Sequence, residues 1–265
     1  EQHTELVTLL QRAAQTERDP ARNVELKLRQ ARLFAGPLMK PTEAAATYRS
    51  VLEQHEDTEA LSFLLGQARE EQDAEIVAAL CARLAASVED PTAARGLLYE
   101  RAQTLVTELG RSQDAVDTLR KLLTEVDPNY EPAIEWLAEL AGNVGDNAGL
   151  ALALTRRLER STTVDARVAL ARRVADLHEH EHSDPEQAIN ALSTWAQADP
   201  TDPTPHRRLR PLLEASGRYA DFVASSDALA TLEPDIAARD EATLAAAQVA
   251  FSQLRNLDAA WTRLL

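Results

Sequence analysis

Several residue types are scarce in this sequence, and each scarcity excludes a class of structure. A single cysteine, Cys81, excludes an internal disulfide framework and a cysteine-rich zinc site. Eight glycines and an aromatic content of 4% argue against the turn-rich strands of a β-sandwich or barrel. The apolar runs are only a few residues long, so no segment is expected to span a bilayer. The remaining expectation is an all-helical protein.

Positive charge is also scarce. The 265 residues include 28 basic and 43 acidic side chains, which gives a formal net charge of −15. This net charge repels nucleic acids and anionic lipids, so we expect neither as a partner. The first residue is glutamate and the one methionine is Met39, so the chain does not begin at a native start. The compartment is therefore unknown: the cytoplasm is favoured, and the periplasm stays open.

The chain repeats itself with a period of about 73 residues, which we identified from two independent series of anchor residues. The first series is Ala44, Ala115, Ala188 and Ala259, with spacings of 71, 73 and 71 residues. The second series is Leu6, Ile76, Leu150 and Phe222, with spacings of 70, 74 and 72 residues. Both ends of the chain interrupt a repeat, so we expect a fragment of a longer protein.

Each period divides into a longer and a shorter helical hairpin. Within one predicted helix, Leu98, Ala102, Leu105 and Leu109 follow the spacing of a single helical face. Acidic-proline pairs such as Asp90-Pro91 separate hairpins, because proline suits a first helical turn and an acid suits its positive end. The pattern predicts about fifteen helices, near 4–17, 22–35, 41–54, 57–71, 73–87, 92–109, 112–126, 131–143, 146–161, 164–182, 185–198, 203–216, 218–231, 236–254 and 257–265.

Residues 174–200, VADLHEHEHSDPEQAINALSTWAQADP, carry a resemblance to the tetratricopeptide pattern. In that pattern a small residue (Ala188) lets two helices approach, a large residue (Leu192) follows four positions later, and a proline (Pro200) closes the unit. The paired hairpins resemble the long tetratricopeptide arrays of bacterial proteins. The resemblance implies an all-α, right-handed superhelical solenoid of stacked antiparallel hairpins, forming a single array over residues 1–265.

The run His178-Glu179-His180-Glu181-His182 is the strongest candidate for a metal site. His178 and His182 have the i, i+4 spacing that can place two imidazoles on one metal, and Asp184 follows. However, the repeat alignment places both histidines at helix-packing positions, and the sequence offers no further ligand. We therefore favour packing, and we expect neither a metal nor another cofactor.

The sequence offers no arrangement typical of catalysis. Cys81 lies among apolar residues with no histidine nearby, which predicts a buried and unreactive thiol. There is no glycine-rich phosphate loop and no Gly-x-Ser-x-Gly elbow. We therefore expect that the chain is not an enzyme.

Arginines gather on the first helix of several hairpins. The candidate binding residues are Arg29, Arg32, Arg101, Arg172, Arg173, Arg207 and Arg208. In tetratricopeptide arrays the first helices line a concave face that binds peptide segments, so the resemblance implies such a groove here. We expect an interaction scaffold that binds a partner segment with acidic groups or a free C-terminal carboxylate.

Three alternatives stay open. The chain could be a rigid spacer or a self-associating segment of a larger multidomain protein. It could be the regulatory part of a multidomain enzyme whose catalysis lies elsewhere. It could also respond to a metal through His178 and His182.

Overall fold

The computed structural model describes residues 2–179 and 184–265. Across these two ranges the regular structure is helical, without a strand. The α-helices are α1 (Gln2–Thr16), α2 (Pro20–Ala35), α3 (Pro41–Leu52), α4 (Thr58–Glu70), α5 (Ala74–Ser87), α6 (Pro91–Thr107), α7 (Ser112–Lys121), α8 (Glu131–Val144), α9 (Asn147–Arg160), α10 (Val164–Leu177), α11 (Pro185–Ala198), α12 (Thr204–Ala215), α13 (Tyr219–Leu232), α14 (Ile236–Ser252) and α15 (Leu257–Leu264). A π-helical turn, Leu122–Val126, extends α7. None of the described helices is long and apolar enough to cross a membrane.

Aspartate residues determine where many of these helices begin. Each accepts a hydrogen bond from a backbone N–H of the first turn, and this satisfies a donor that has no partner within the helix. The aspartates in this role are Asp19, Asp57, Asp73, Asp90, Asp146, Asp184 and Asp235. Part of the acidic excess of the chain is therefore used to start helices.

Glycines end two of the hairpin helices. Gly110 follows α6 with a φ of 64°, and Gly217 follows α12 with a φ of 68°. This left-handed conformation is unfavourable for residues with a Cβ, and it turns the chain sharply after a helix. Both glycines lie inside hairpins, between the first and the second helix.

The chain divides into two compact units, Glu1–Ala133 (unit 1) and Ile134–Leu265 (unit 2). In unit 1 each helix from α1 to α6 packs against the next helix in the chain, and in unit 2 each helix from α9 to α14 does the same. Consecutive packing of antiparallel helices confirms the all-α hairpin fold predicted from the sequence. We call α2, α4, α6, α10, α12 and α14 the first helices of their hairpins. The single array over residues 1–265 stays a prediction.

The alanine anchors of the repeat occupy one structural position. Ala44, Ala115 and Ala188 are fully buried, and each donates its backbone N–H to the carbonyl of the residue preceding the helix, at 3.0 to 3.2 Å. In α15 that position belongs to Ala260, whose N–H donates to the Asn256 carbonyl at 3.1 Å. The predicted anchor Ala259 is therefore wrong by one residue. The Ala259 N–H is instead bound by the side chain of Asn256, which caps α15.

Candidate binding surface on the first helices

In unit 1 the predicted arginines of α2 are engaged within the chain. Arg32 donates to Glu59 on α4 from Nε at 2.8 Å, and the Tyr48 hydroxyl donates to the same carboxylate at 2.9 Å. The hydrogen bond from Arg32, followed by the one from Tyr48, holds the pKa of Glu59 below its usual value. Arg29 pairs with Glu25 of its own helix at 2.6 Å. A partner would have to compete with these carboxylates.

The same kind of ion pair recurs between the next first helices. Arg69 on α4 donates to Glu100 on α6 at 2.8 Å. Arg95 on α6 donates to Asp127 at 2.8 Å and lies 4.7 Å from the centre of the Tyr130 ring. The Arg69 pair, like that of Arg32, joins consecutive hairpins of unit 1, whereas Asp127 ends the second helix of the hairpin that contains Arg95. In the part of the chain that the structure describes, the buried Nε of the predicted residue Arg101 has no hydrogen-bond partner.

In unit 2 the predicted residue Arg208 connects α12 to α10. Its guanidinium donates to Asp176 and to Glu179, both at 2.8 Å. It also lies 5.8 Å from the centre of the buried Trp195 ring, and Arg172 lies at the same distance from that ring. The charge of Arg208 is therefore compensated inside the chain. Its first role is to stabilise the contact between α12 and α10.

Arg207, the neighbour of Arg208 on α12, is also engaged within the chain, by Glu233 at the end of α13. Its guanidinium donates to both oxygens of Glu233, at 2.7 and 2.8 Å, and Glu233 is only 6% exposed. By contrast, Arg172 and Arg173 on α10 are exposed, and neither forms an ion pair within the described ranges. Of these predicted residues, Arg172 and Arg208 are brought to the same ring, that of Trp195. The partner-binding role of all four arginines stays a prediction.

A groove between the first helices α12 and α14 has a volume of about 420 Å³. Tyr219 and Phe222 of α13 line it, and Arg210 stacks on the Phe222 ring at 5.5 Å. The buried Nε of Arg210 has no hydrogen-bond partner among the described residues, and the closest approach of its guanidinium to Glu241 is 3.9 Å. Glu241 itself is 75% exposed, so this pair is loose. Arg210 is not among the predicted binding residues. The sequence pattern that could have identified it is the basic run at residues 206–210.

The structure covers only half of the predicted histidine pair. His178 is buried at the C-terminal end of α10, whereas His182 lies outside the described residues. Within residues 2–179 and 184–265, no group of three or more His, Cys, Asp or Glu side chains is placed to hold a metal ion.

Cys81 is expected to resist alkylation while the chain is folded. The residue is fully buried on α5, and burial, reinforced by Glu100, raises the pKa of its thiol to about 12. Relative to an ordinary thiol, the thiolate fraction at neutral pH falls by a factor on the order of 1000. Labelling with N-ethylmaleimide, followed by mass spectrometry with and without urea, measures this effect. Equal rates in the two conditions would contradict it.

Comparisons with known proteins find tetratricopeptide repeat structures at low similarity. No protein-family model matches the sequence, and no curated protein matches it. A solved tetratricopeptide repeat protein from Parabacteroides merdae is 15% identical, covers 91% of this chain and 90% of its own, and has a TM-score of 0.34. The consecutive packing of the described helices, rather than these matches, makes the fold tetratricopeptide-like.

Two further structures have similar values. MamA is 14% identical over 61% of this chain and 89% of its own, with a TM-score of 0.33. The TPR2AB domain of yeast Sti1, solved in a complex with pHSP90, is 13% identical over 91% of this chain and 97% of its own, with a TM-score of 0.29. At these scores the matches say nothing about what this chain binds.

Proposed function

We propose that this tetratricopeptide-like chain is a non-enzymatic interaction scaffold, and that the groove between α12 and α14 binds an acidic peptide segment of a partner protein. The proposal rests on the contacts that Arg210 makes, and lacks, in the groove. Its guanidinium lies over Phe222 in the groove, with a buried Nε that has no partner among the described residues and with only a loose contact to Glu241. The rest of the guanidinium is partly exposed, and with only a loose ion pair it can bind the carboxylate of a ligand.

The groove supplies the other elements that a peptide site needs. Tyr219 and Phe222 offer an apolar floor, and aromatic residues combine large contact area with few rotatable bonds. Arg207 lies at the edge, although its guanidinium is already bound to Glu233. The net charge of the whole chain is −15, which disfavours polyanions and leaves a short acidic segment as the better ligand.

The test uses a phage-displayed library of random twelve-residue peptides, selected on the intact 265-residue chain. We expect enrichment of peptides that contain Asp or Glu. Replacing Arg210 by Gln is expected to weaken the selected peptides by about tenfold or more, because a hydrogen bond to a charged group contributes about 1.5–3 kcal/mol. Binding should also weaken as salt is raised. Fluorescence anisotropy with each selected peptide, with its C-terminus free or amidated, gives the affinities.

The matched control is Arg12→Gln, which removes the same charge from an exposed position on α1, a second helix. Enrichment of peptides without acidic residues would overturn the proposal. Equal losses in Arg210→Gln and Arg12→Gln would overturn it as well, because the effect would then come from net charge alone.

A different observation favours the alternative that the chain is a rigid spacer. The ion pairs Arg32–Glu59 and Arg69–Glu100 join consecutive first helices in unit 1 and occupy arginines that a ligand would otherwise use. A library selection on the intact chain that yields no peptide would favour a rigid spacer over a scaffold.

A further inference from the structure

A polar groove lies between the second helices α1 and α3 of unit 1. Both helices pack against the first helix α2, which forms the floor, and the groove has a volume of about 650 Å³. Lys27 and Gln30 of α2 line the floor, and Gln15, Ser50 and Gln54 line the walls. We call this the amide groove. It is separate from the groove between α12 and α14, which belongs to unit 2.

The amide groove lies on the side of α2 that is opposite to the predicted binding arginines. In a helix of 3.6 residues per turn, Lys27 and Gln30 lie about 150° around the axis from Arg29 and Arg32. The predicted binding surface on the first helices therefore does not include this groove.

An open groove between second helices is a feature of the repeat and not of the start of the sequence. The equivalent groove between α3 and α5 has a volume of about 310 Å³, with two helices of unit 1 before it and two after it. A third groove, between α9 and α11, has a volume of about 390 Å³. Such grooves thus stay open where the neighbouring hairpins are present.

The amide groove differs from the other two grooves in the polarity of its floor. Lys27 and Gln30 lie 8 and 11 residues after Asp19, the N-cap residue of α2. At the equivalent positions α4 and α10 have apolar residues that are at most 3% exposed, namely Leu65, Ala68, Ala171 and Val174. Polar groups at such positions lose hydration without adding to the core, so packing does not explain them.

Both polar residues of the floor keep hydrogen-bonding groups that the chain itself does not use. Gln30 is only 7% exposed and lines the groove, and its amide has no hydrogen-bond partner among the described residues. The Lys27 Nζ donates to the Ser50 hydroxyl at 2.7 Å, and it has no carboxylate within ion-pair distance in residues 2–179 and 184–265. An ammonium group has three N–H donors, so most of its capacity is left for a ligand.

These groups determine the chemistry of a suitable ligand. An amide side chain donates and accepts, so the ligand has to offer both an acceptor and a donor, and the charge of Lys27 favours an anionic group. An extended peptide meets these conditions, because its backbone N–H and C=O groups are unpaired, whereas a helix uses them internally. A saccharide is a poorer ligand, since none of the described lining residues is an aromatic ring on which a sugar could stack.

We propose that the amide groove binds an extended segment of a partner protein. Gln30 pairs with a backbone N–H and a C=O of the segment, and Lys27 binds the carboxylate of an Asp or Glu side chain. The stripe from Asn23 to Gln30 is about 10 Å long, which is the length of about three extended residues. This second site goes beyond the proposed function and does not depend on Arg210.

The probe is the blocked peptide acetyl-Gly-Ser-Glu-Ser-Gly-amide, since recognition of the main chain does not require a particular sequence. We expect it to shift the side-chain amide NMR signals of Gln15, Gln30 and Gln54 in the ¹⁵N-labelled intact chain. The same peptide with an N-methyl group on each serine keeps its charge but lacks two backbone donors. The peptide with glutamine in place of glutamate lacks the charge. Each change is expected to weaken binding at least about fivefold.

Gln30→Leu and Lys27→Met introduce apolar residues like those of α4 and α10, so each variant is expected to melt at no lower temperature than the parent. Each should nevertheless weaken the probe at least about fivefold, measured on the Gln15 and Gln54 signals. A loss of binding without a loss of stability identifies a ligand-binding role. Lys121→Met is the matched control, because it removes the same charge from an exposed position on α7.

Four results would overturn the proposal. The first is the absence of any shift in these signals at a probe concentration of about 10 mM. The second is equal affinity for the parent peptide and the N-methylated peptide, a comparison that requires no variant of the chain. The third is an equal loss of binding in Lys27→Met and Lys121→Met. The fourth is a shift caused by galacturonic acid and not by the peptide, which would make a saccharide the ligand. Arg210→Gln should leave the probe unaffected, so this site can fail or hold independently of the groove between α12 and α14.

Discussion

Replacing Arg207 by Met is expected to lower the free energy of unfolding of unit 2 by about 1–3 kcal/mol, because Arg207 is half exposed and the cost is that of a buried carboxylate left without its donor. Methionine retains an unbranched apolar side chain but removes the guanidinium that donates to both Glu233 oxygens at 2.7 and 2.8 Å. Glu233 is 6% exposed, so its carboxylate would stay buried without its ion-pair partner. Removing one member of a buried pair costs more than the pair contributes, since the remaining charge has lost its hydration as well.

The measurement is urea unfolding followed by tryptophan emission. All three tryptophans, Trp136, Trp195 and Trp261, lie in unit 2, so the signal reports on that unit. Arg207→Met combined with Glu233→Leu should recover most of the loss, because no charge is then buried.

The control for Arg207→Met is Arg218→Met. Arg218 pairs with the exposed carboxylates of Glu186 and Asp221, and such surface pairs contribute about 0–1 kcal/mol. If Arg207→Met costs no more than Arg218→Met, the Glu233 pair is not buried in solution.

The helical fold could be predicted from the sequence because its signals are local. A capping aspartate, the helical spacing of apolar residues and a glycine after the helix lie within a few residues of one another, as from Asp90 to Gly110. The anchor Ala259 was misplaced because two adjacent alanines fit the pattern equally well. The cap decided between them, since Asn256 binds the Ala259 N–H and leaves the buried position to Ala260.

The binding surface could be predicted only in part because arginine pairing is not local. Arg32 and Arg69 find their carboxylates 27 and 31 residues further along the chain, on the next first helix. A sequence pattern that groups arginines by helix does not separate those already bound to Glu59 or Glu100 from those that a ligand can reach. The recurrence of an acidic residue about one hairpin later is the signal that could have found these pairs.

The same pairing changes how the surface has to be tested. The clustering of arginines suggests Arg208→Glu as a probe of ligand binding. That change would place a third carboxylate beside Asp176 and Glu179, with which Arg208 now forms hydrogen bonds. Like charges at this distance repel, so the variant would disturb the α10–α12 contact before it tested any ligand. Arg210 is the better position, because among the described residues its guanidinium has only the loose contact to Glu241, at 3.9 Å.

Leu192 and Leu264 occupy equivalent positions in the repeat, and their truncation is expected to differ strongly. Leu192 is fully buried in α11, so Leu192→Ala removes packed methyl groups and leaves a cavity. We expect a loss of about 3 kcal/mol in the free energy of unfolding of unit 2. Leu264 is 56% exposed in α15, so Leu264→Ala should cost less than about 0.5 kcal/mol.

Urea unfolding with tryptophan emission measures both variants under the same conditions, and Leu192→Met is the volume-conserving control, with an expected cost below about 1.5 kcal/mol. The two leucines have the same position after the anchor alanine but differ in burial. A difference in the cost of truncation therefore comes from burial and not from the position in the repeat. Equal costs at the two positions would mean that Leu264 is buried in solution.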